Sequence, residues 1–420
     1  MKSQSSLLII KKFRIKLINL IIILFYAVIL NIIYPNVNSV VNYMWKLVII
    51  FSYKKFIINL VLIILAYIII PKNNTIIFNL FCVILCFIYV PITVIVNYTI
   101  YKIEVSIIFI ISFIIVILVY KIILGLPKIV TNYNINEKNI EYIFLLYTIF
   151  FVIYIARKYK IQGNIIYVLI NSYSIRNNVK FTGIDGYLVK GYISLISPIL
   201  MYIGIKNKKI KVALFAFIIN IILFIIFAYK NYALYGILIL SMTFIYKHMK
   251  RNKKFIIPIT ALLISIIAIF IGSISFPYID RFIYLPGLLN VLYFDYFTNS
   301  PYNYFHGSKI GLLFGIKNYD QELGFVIDKA YFGGGSNANT GYFGTSYAEL
   351  GYNGIILASV ILGIILYIIY LASKKNSLLA FATGLFYMFE LMNSSIFALF
   401  LTNFFIVYII IIFCIKIDNT

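Results

Sequence analysis

The residues of this chain that could do chemistry are few, and most fall in one stretch. Positions 277–350 hold six of the twelve acidic residues, Asp280, Asp295, Asp320, Glu322, Asp328 and Glu349, and one of the two histidines, His306. An imidazole titrates near neutral pH and can take a proton from a hydroxyl, so His306 is a candidate base. Asp295 and Glu322 are carboxylates for the same task. Arg281 opens the stretch with a planar fork of donors matched to phosphate, although an Arg at a helix end also serves as an interfacial anchor. Lys230 sits alone in a short turn between two apolar runs, a place for a cation that an anionic partner would explain. Gly333, Gly334 and Gly335 permit positive φ and close backbone approach. Beyond them Asn337, Asn339 and Thr340, with Gly341, supply neutral donors and acceptors that suit a hydroxyl-rich ligand; ordinary turns share that composition. Glu390, near the end of a later apolar run, would pair with a cation or act as a further base.

The elements that position these residues must lie in lipid. Of 420 residues, 63% are hydrophobic and 11% charged, with mean hydropathy +1.01. Soluble domains run at about 45–50% apolar and about 25% charged, so a water-soluble fold is excluded. The 38 tyrosines and 37 phenylalanines fit lipid-facing helices with interfacial aromatics. A net charge of +24 would fit a nucleic-acid binder, but the basic residues form short clusters between apolar runs and read as topology signals, not as one basic face. Cys82, Cys86 and Cys414 lie within apolar runs without His or carboxylate neighbours. They read as small buried hydrophobes, with no disulfide framework and no zinc site. Lys2, Lys11, Lys12, Arg14 and Lys16 precede a long apolar run as in a signal peptide. No small-x-small cleavage site follows, so a retained first helix is expected.

A crossing helix needs about 20 apolar residues. Eleven runs qualify, from 17–34 to 396–414, and three weaker ones at 36–53, 161–175 and 188–205 bring the expectation to about fourteen. With the N-terminus inside, fourteen crossings put Lys54/Lys55, Arg157/Lys158/Lys160, the 206–211 and 247–254 clusters, Lys374/Lys375 and Lys416 on the inner face, as the positive-inside rule asks. Lys72, the 127–141 segment, the 176–187 segment and 277–350 then lie outside. The expected fold is an all-α polytopic membrane protein: an N-terminal bundle over 1–276 of about eleven helices, a large outer loop over 277–350 carrying the site, and about three helices over 351–420, with both termini cytoplasmic. Arg281 would stand at headgroup level. No GxxxxGK[ST], Asp-x-Asp or HExxH motif occurs, so neither a nucleotide motor, a divalent metal nor a cofactor is implied.

Two segments carry a family resemblance. Arg281-Phe-Ile-Tyr-Leu-Pro-Gly-Leu-Leu-Asn-Val-Leu-Tyr-Phe-Asp-Tyr-Phe, with Ser300-Pro-Tyr-Asn-Tyr-Phe-His-Gly-Ser-Lys-Ile after it, comes first. Asn337-Ala-Asn-Thr-Gly-Tyr-Phe-Gly-Thr-Ser-Tyr-Ala-Glu-Leu-Gly-Tyr-Asn-Gly follows in the right order. Together they resemble the Wzy-type oligosaccharide repeat unit polymerases of bacterial capsule and O-antigen synthesis. The resemblance implies a GT-C-like helical glycosyltransferase, free of metal and cofactor, joining undecaprenyl-diphosphate-linked repeat units at the outer face of the bacterial cytoplasmic membrane. Arg281 and Lys230 would hold the diphosphate and stabilise the leaving group. His306, Asp295 or Glu322 would take the acceptor proton, and Asn337, Asn339, Thr340 and Gly341 would orient sugar. A chain-length regulator and a flippase are the implied protein partners; nucleic acid is not one. An O-antigen-type ligase shares donor and fold and stays open. A lipid-sugar flippase or transporter would instead put charges within the spans and broken helices in matching halves.

Overall fold

The structure, a computed structural model, describes residues 2–45, 48–125, 136–179, 181–249, 252–305 and 319–414. Among the described residues there is no strand. The helices are α1 (Lys2–Trp45), α2 (Tyr53–Ile69), α3 (Thr75–Tyr98), α4 (Glu104–Leu124), α5 (Glu137–Lys158), α6 (Ile165–Ile170), α7 (Ser172–Asn178), α8 (Asp185–Lys206), α9 (Ile210–Phe227), α10 (Lys230–His248) and α11 (Lys253–Ile271). After them come α12 (276–298), α13 (Leu323–Phe332), α14 (Tyr342–Lys375), α15 (Ser377–Glu390), α16 (Ile396–Leu401) and α17 (Phe405–Cys414). Among the described residues eight helices are long and apolar enough to cross a membrane: α1, α3, α4, α5, α8, α9, α11 and α14. The architecture is that of a helical multi-pass membrane protein.

The chain forms two compact units. The first holds Met1–Leu126, Asn252–Tyr367 and Glu390–Ile396, and the second Pro127–Arg251, Ile368–Phe389 and Phe397–Thr420.

At the centre of the first unit stands α3, buried along its whole apolar window. A helix hidden on every side must satisfy its polar side chains within the protein. Asn59 of α2 donates to Asn97 of α3 (2.7 Å), and Asn97 donates to Asn31 of α1 (2.9 Å). Asn79 donates to the Lys253 carbonyl (3.0 Å), and Tyr26 of α1 to the Cys86 carbonyl (2.9 Å). Such interhelical bonds contribute about 1–2 kcal/mol each in lipid. Cys82 and Cys86 are buried free thiols within this packing.

Among the described residues three helices carry a π-turn, and in each a proline stands two residues beyond it: Leu85–Tyr89 before Pro91, Tyr192–Ile196 before Pro198, and Asp280–Tyr284 before Pro286. Proline lacks an N–H and its ring presses on the carbonyl four residues earlier. The wider turn removes that clash, so the helix continues where it would otherwise break.

In the second unit, ion pairs fix both ends of α5. Glu137 pairs with Lys206 and Glu141 with Lys209 (2.8 Å) at the first turns, and Lys158 pairs with the buried Asp185 (2.8 Å) at the last. Acids at the N-terminus and a base at the C-terminus also complement the helix dipole. Asp185 accepts further bonds from Tyr154 (2.8 Å) and Thr182 (3.0 Å).

The described helices and contacts differ at several points from the expected spans. The 36–53 span is absent, because α1 runs on through Pro35 to Trp45 and residues 48–52 are not helical. The 161–175 span is replaced by the short α6 and α7, which break at Asn171. Fourteen crossings set Lys72 opposite Lys254, 127–141 opposite 206–211, and Lys158 opposite Asp185. In the structure Lys254 donates to the Lys72 carbonyl (2.6 Å), and the α5 ion pairs join the other two sets. The loop expected over 277–350 is largely helical, with α12, α13 and the start of α14 inside it.

Gly287 of α12 lies directly on α3. A Cβ there would stand 2.9 Å from the Pro91 carbonyl carbon and 3.1 Å from the Ile92 nitrogen. Replacing Gly287 by Leu should therefore destabilise the first unit by about 1–3 kcal/mol through overpacking. Thermal unfolding of the detergent-purified protein should show a lowered Tm, whereas an unchanged Tm would mean that the two backbones are not in contact.

Candidate functional site

Helix α12 places two of the expected site residues. Phe282 lies against Phe87 (6.0 Å between ring centroids), and Gly287 against Pro91, so α12 runs alongside the second half of α3. Arg281 is exposed on the π-turn, next to the buried Asp280. It therefore stands beside the middle of the 24-residue α3, not at the end of a span as expected at headgroup level. A 3-10 turn at Gly272–Ile274, with Gly272 at φ 62, separates α11 from α12. Asp295 comes fourteen residues after Arg281, about 21 Å of rise at 1.5 Å per residue. One helix thus holds them apart.

Asp295 accepts from the Tyr331 hydroxyl of α13 (2.6 Å). Burial, and then the Asp295 carboxylate, raise the Tyr331 phenol well above its ordinary range; the same two causes push Tyr101 up to about 12. Both phenols stay protonated donors, which suits a fixed acceptor more than a free base.

The 333–341 segment is tightly built. Asp328, 2% exposed, accepts from the Ser336 backbone N–H (2.8 Å) and hydroxyl (2.5 Å), closing the triple-glycine turn in which all three φ values are positive. Ala338 donates its N–H to the Gly324 carbonyl (3.0 Å), while its own carbonyl accepts from Tyr293 of α12 (3.1 Å). Asn337 donates to Glu322 (3.1 Å), so two residues assigned different roles from the sequence are bonded to each other. Asn339 is exposed beside them. Thr340 is 1% exposed, and its hydroxyl has no hydrogen-bond partner among the described residues. Gly341 lets the chain cross the 391–392 turn, where a Cβ would stand 2.5 Å from the Leu391 carbonyl oxygen. Buried Asn290 then receives the Gly344 N–H (2.8 Å) and docks the start of α14 on α12.

Several of these supports carried no chemical signal in the sequence. Gly324 and Tyr331 belong to no motif, and Asn290 lay inside a recognised segment without a role. Glu349 was counted among the acids but not assigned. It accepts from Asn303 (2.9 Å) and from the Phe305 N–H, holding Tyr304 and Phe305 at φ 51 and 62. His306 lies outside the described residues. Among those described, no three His, Cys, Asp or Glu side chains gather as a metal would require.

Lys230 belongs to the second unit and is the first residue of the 19-residue α10. Arg176, from a short helix of the same unit, lies over the neighbouring Tyr229 ring (5.8 Å), which Phe181 also stacks against (6.1 Å). A lysine at a helix N-terminus opposes the dipole, and an anion bound there would relieve the conflict. Arg176, unassigned from sequence, adds a second cation to that corner.

No family model matches the chain, and neither a curated protein nor a solved structure matches it.

The carboxylate of Asp328 is the hinge pin of this segment. Asp328→Ala leaves the Ser336 N–H and hydroxyl unpaired, at about 1–3 kcal/mol for a buried donor. Limited proteolysis of the purified variant should cut near Gly333–Gly335 faster than in the parent, and equal rates would remove Asp328 from this role.

Proposed function

We propose that the protein is a polymerase that joins undecaprenyl-diphosphate-linked oligosaccharide repeat units into O-antigen or capsular polysaccharide at the outer face of the bacterial cytoplasmic membrane. The observation that carries this reading is the 337–341 segment. Its backbone is held at Ala338 by Tyr293 of α12, the Asn337 side chain is held by Glu322 before α13, and Gly341 packs on the 391–392 turn, which leaves the Asn339 amide and the Thr340 hydroxyl for a ligand. A frame of that kind suits a hydroxyl-rich ligand delivered from the membrane.

A count of crossings and the positive-inside rule support the side of the membrane in this reading. Twelve crossings fit the contacts: α1 to α5, α8 to α11, α14, α15, and α16 with α17. Both lost crossings precede 277–350, one before Lys54 and one after Lys160, so that segment keeps its place opposite the N-terminus. Lys54, Lys55, Lys102, Arg157, Lys158 and Lys160 move to the outer side. Two of these cations have structural work: Lys55 donates to the Thr99 and Tyr101 carbonyls (2.8 and 2.7 Å), and Lys158 holds Asp185. The clusters around residues 11–16 and 206–211, with those at 247–254 and 374–375, remain inside, as the positive-inside rule requires.

In this reading Arg281 meets the donor's phosphates. Arg281 is exposed on the π-turn, and bidentate donors stabilise a phosphate leaving group without a metal. Lys230, at the N-terminus of α10, is a phosphate ligand of the same chemistry. His306, Asp295 or Glu322 takes the acceptor proton; Asp295 stands about 21 Å along α12 from Arg281 and Glu322 precedes α13. The ligase reading shares every one of these residues and differs only in the acceptor.

A strain lacking the gene decides between them. Surface glycan run as a length ladder should collapse to single repeat units, whereas long lipid-linked chains without attachment would mean a ligase, and units held on the inner leaflet a flippase. Arg281→Lys, which keeps charge but loses the fork, should shorten the ladder, and Arg281→Ala should abolish it at normal protein levels. A full ladder from Arg281→Ala would sink the phosphate role.

A further inference from the structure

We propose that Glu322, Asn337 and Asn339 form a clamp for the hydroxyls of an uncharged sugar, and that this sugar is not the one bonded to the diphosphate. The inference rests on the lipid-linked donor reading above and deepens it. Gly324 is the floor of the clamp. A Cβ at Gly324 would stand 1.7 Å from Asn337 Oδ1 and 2.9 Å from Asn339 Oδ1, so both amide oxygens converge where this residue has no side chain. Asn337 then turns its Nδ2 to Glu322 Oε2 (3.1 Å). One Glu322 oxygen and the Asn339 amide nitrogen are left without a side-chain hydrogen bond among the described residues, and both side chains are exposed. Beside them the buried Thr340 hydroxyl has no partner among the described residues.

An ionised carboxylate only accepts and an amide nitrogen only donates. Neighbouring sugar hydroxyls do both, so they can donate to Glu322 and accept from Asn339 at once. A uronic acid or a phosphorylated sugar would bring a like charge against Glu322 and be repelled. The clamp therefore selects a neutral, polyhydroxylated ring.

Its position follows from α12. Tyr293 bonds the Ala338 carbonyl (3.1 Å) and so pins the clamp to that helix. Tyr293 lies twelve residues beyond Arg281, about 18 Å of rise. With the diphosphate at Arg281, the first sugar ends well short of Glu322, and the clamp meets a ring farther out on the repeat unit. Glu322 is on this account a specificity-determining residue, not the base.

The test uses the full-length protein in lipid nanodiscs and two donors: the undecaprenyl-diphosphate-linked repeat unit extracted from the gene-deletion strain, and the same lipid carrying only its first sugar. Glu322→Gln and the double variant Asn337→Ala with Asn339→Ala should raise KM for the complete unit by about tenfold or more, leave its kcat within about twofold, and leave KM for the one-sugar donor unchanged. Loss of kcat at unchanged KM would make Glu322 part of the chemistry and overturn the proposal. Unchanged constants for both donors in Glu322→Gln, an exposed and nearly isosteric change, would overturn it as well. Failure of the parent protein to extend the complete unit would instead overturn the polymerase reading on which the clamp depends.

Discussion

The first unit depends on the close approach of α12 to α3. Two helices this near need a residue without a side chain at the crossing, and Gly287 on Pro91 provides it. Pro91 lies on α3 beyond a π-turn, and Gly287 directly follows Pro286, itself beyond the π-turn that presents Arg281. Proline therefore has a positional effect here. By forcing a wider turn just before the crossing, it rotates the preceding residues relative to those that follow. On α12 this leaves Arg281 exposed while 286–294 are buried.

The 337–341 part of the candidate site is referred to that crossing. Asn290 and Tyr293, one and two turns beyond Gly287, are the residues that receive the start of α14 and the 338 carbonyl. The 337–341 segment is thus placed by main-chain bonds to helical side chains and not by its own flexibility. The three glycines before it serve a different end. They let the chain turn through three positive φ values after α13, and Asp328 closes the turn from beneath.

The helical, membrane-embedded class was legible because composition alone excludes water as the solvent. The extent of individual helices was not, for reasons visible in particular residues. Pro35 marks a helix end in water, but within α1 the helix passes through it, so a hydropathy window sees two spans where one helix runs. Cations were read as topology signals, yet Lys55, Lys158 and Lys254 are each committed to a carbonyl or carboxylate. The 276–298 stretch reads as polar because of Asp280, Asn290, Asp295 and its tyrosines. In the structure the groups that matter are paired: Asn290 with Gly344, Asp295 with Tyr331, and Tyr284 with the Leu30 carbonyl (2.8 Å). Polar residues satisfied by distant partners cannot be told from exposed ones in a single sequence. The Asn-x-Asn-Thr-Gly segment was legible as a site candidate, whereas Gly324, which gives its side chains room, carries no pattern.

The length of α12 sets what kind of substrate the site can serve. A small ligand would meet either the Arg281 end or the Glu322 end, and the residues at the other would have nothing to do. A substrate with an anionic group at one end and a run of neutral rings at the other engages both, and a rigid helix between them measures it. Because α12 is buried against α3 and pinned by Asn290 and Tyr293, that spacing cannot relax to fit a shorter molecule. On the proposed reading, charge recognition at Arg281 and ring recognition at Glu322 would be separable along one axis, so outer sugars could be read without altering the residue proposed to meet the phosphate.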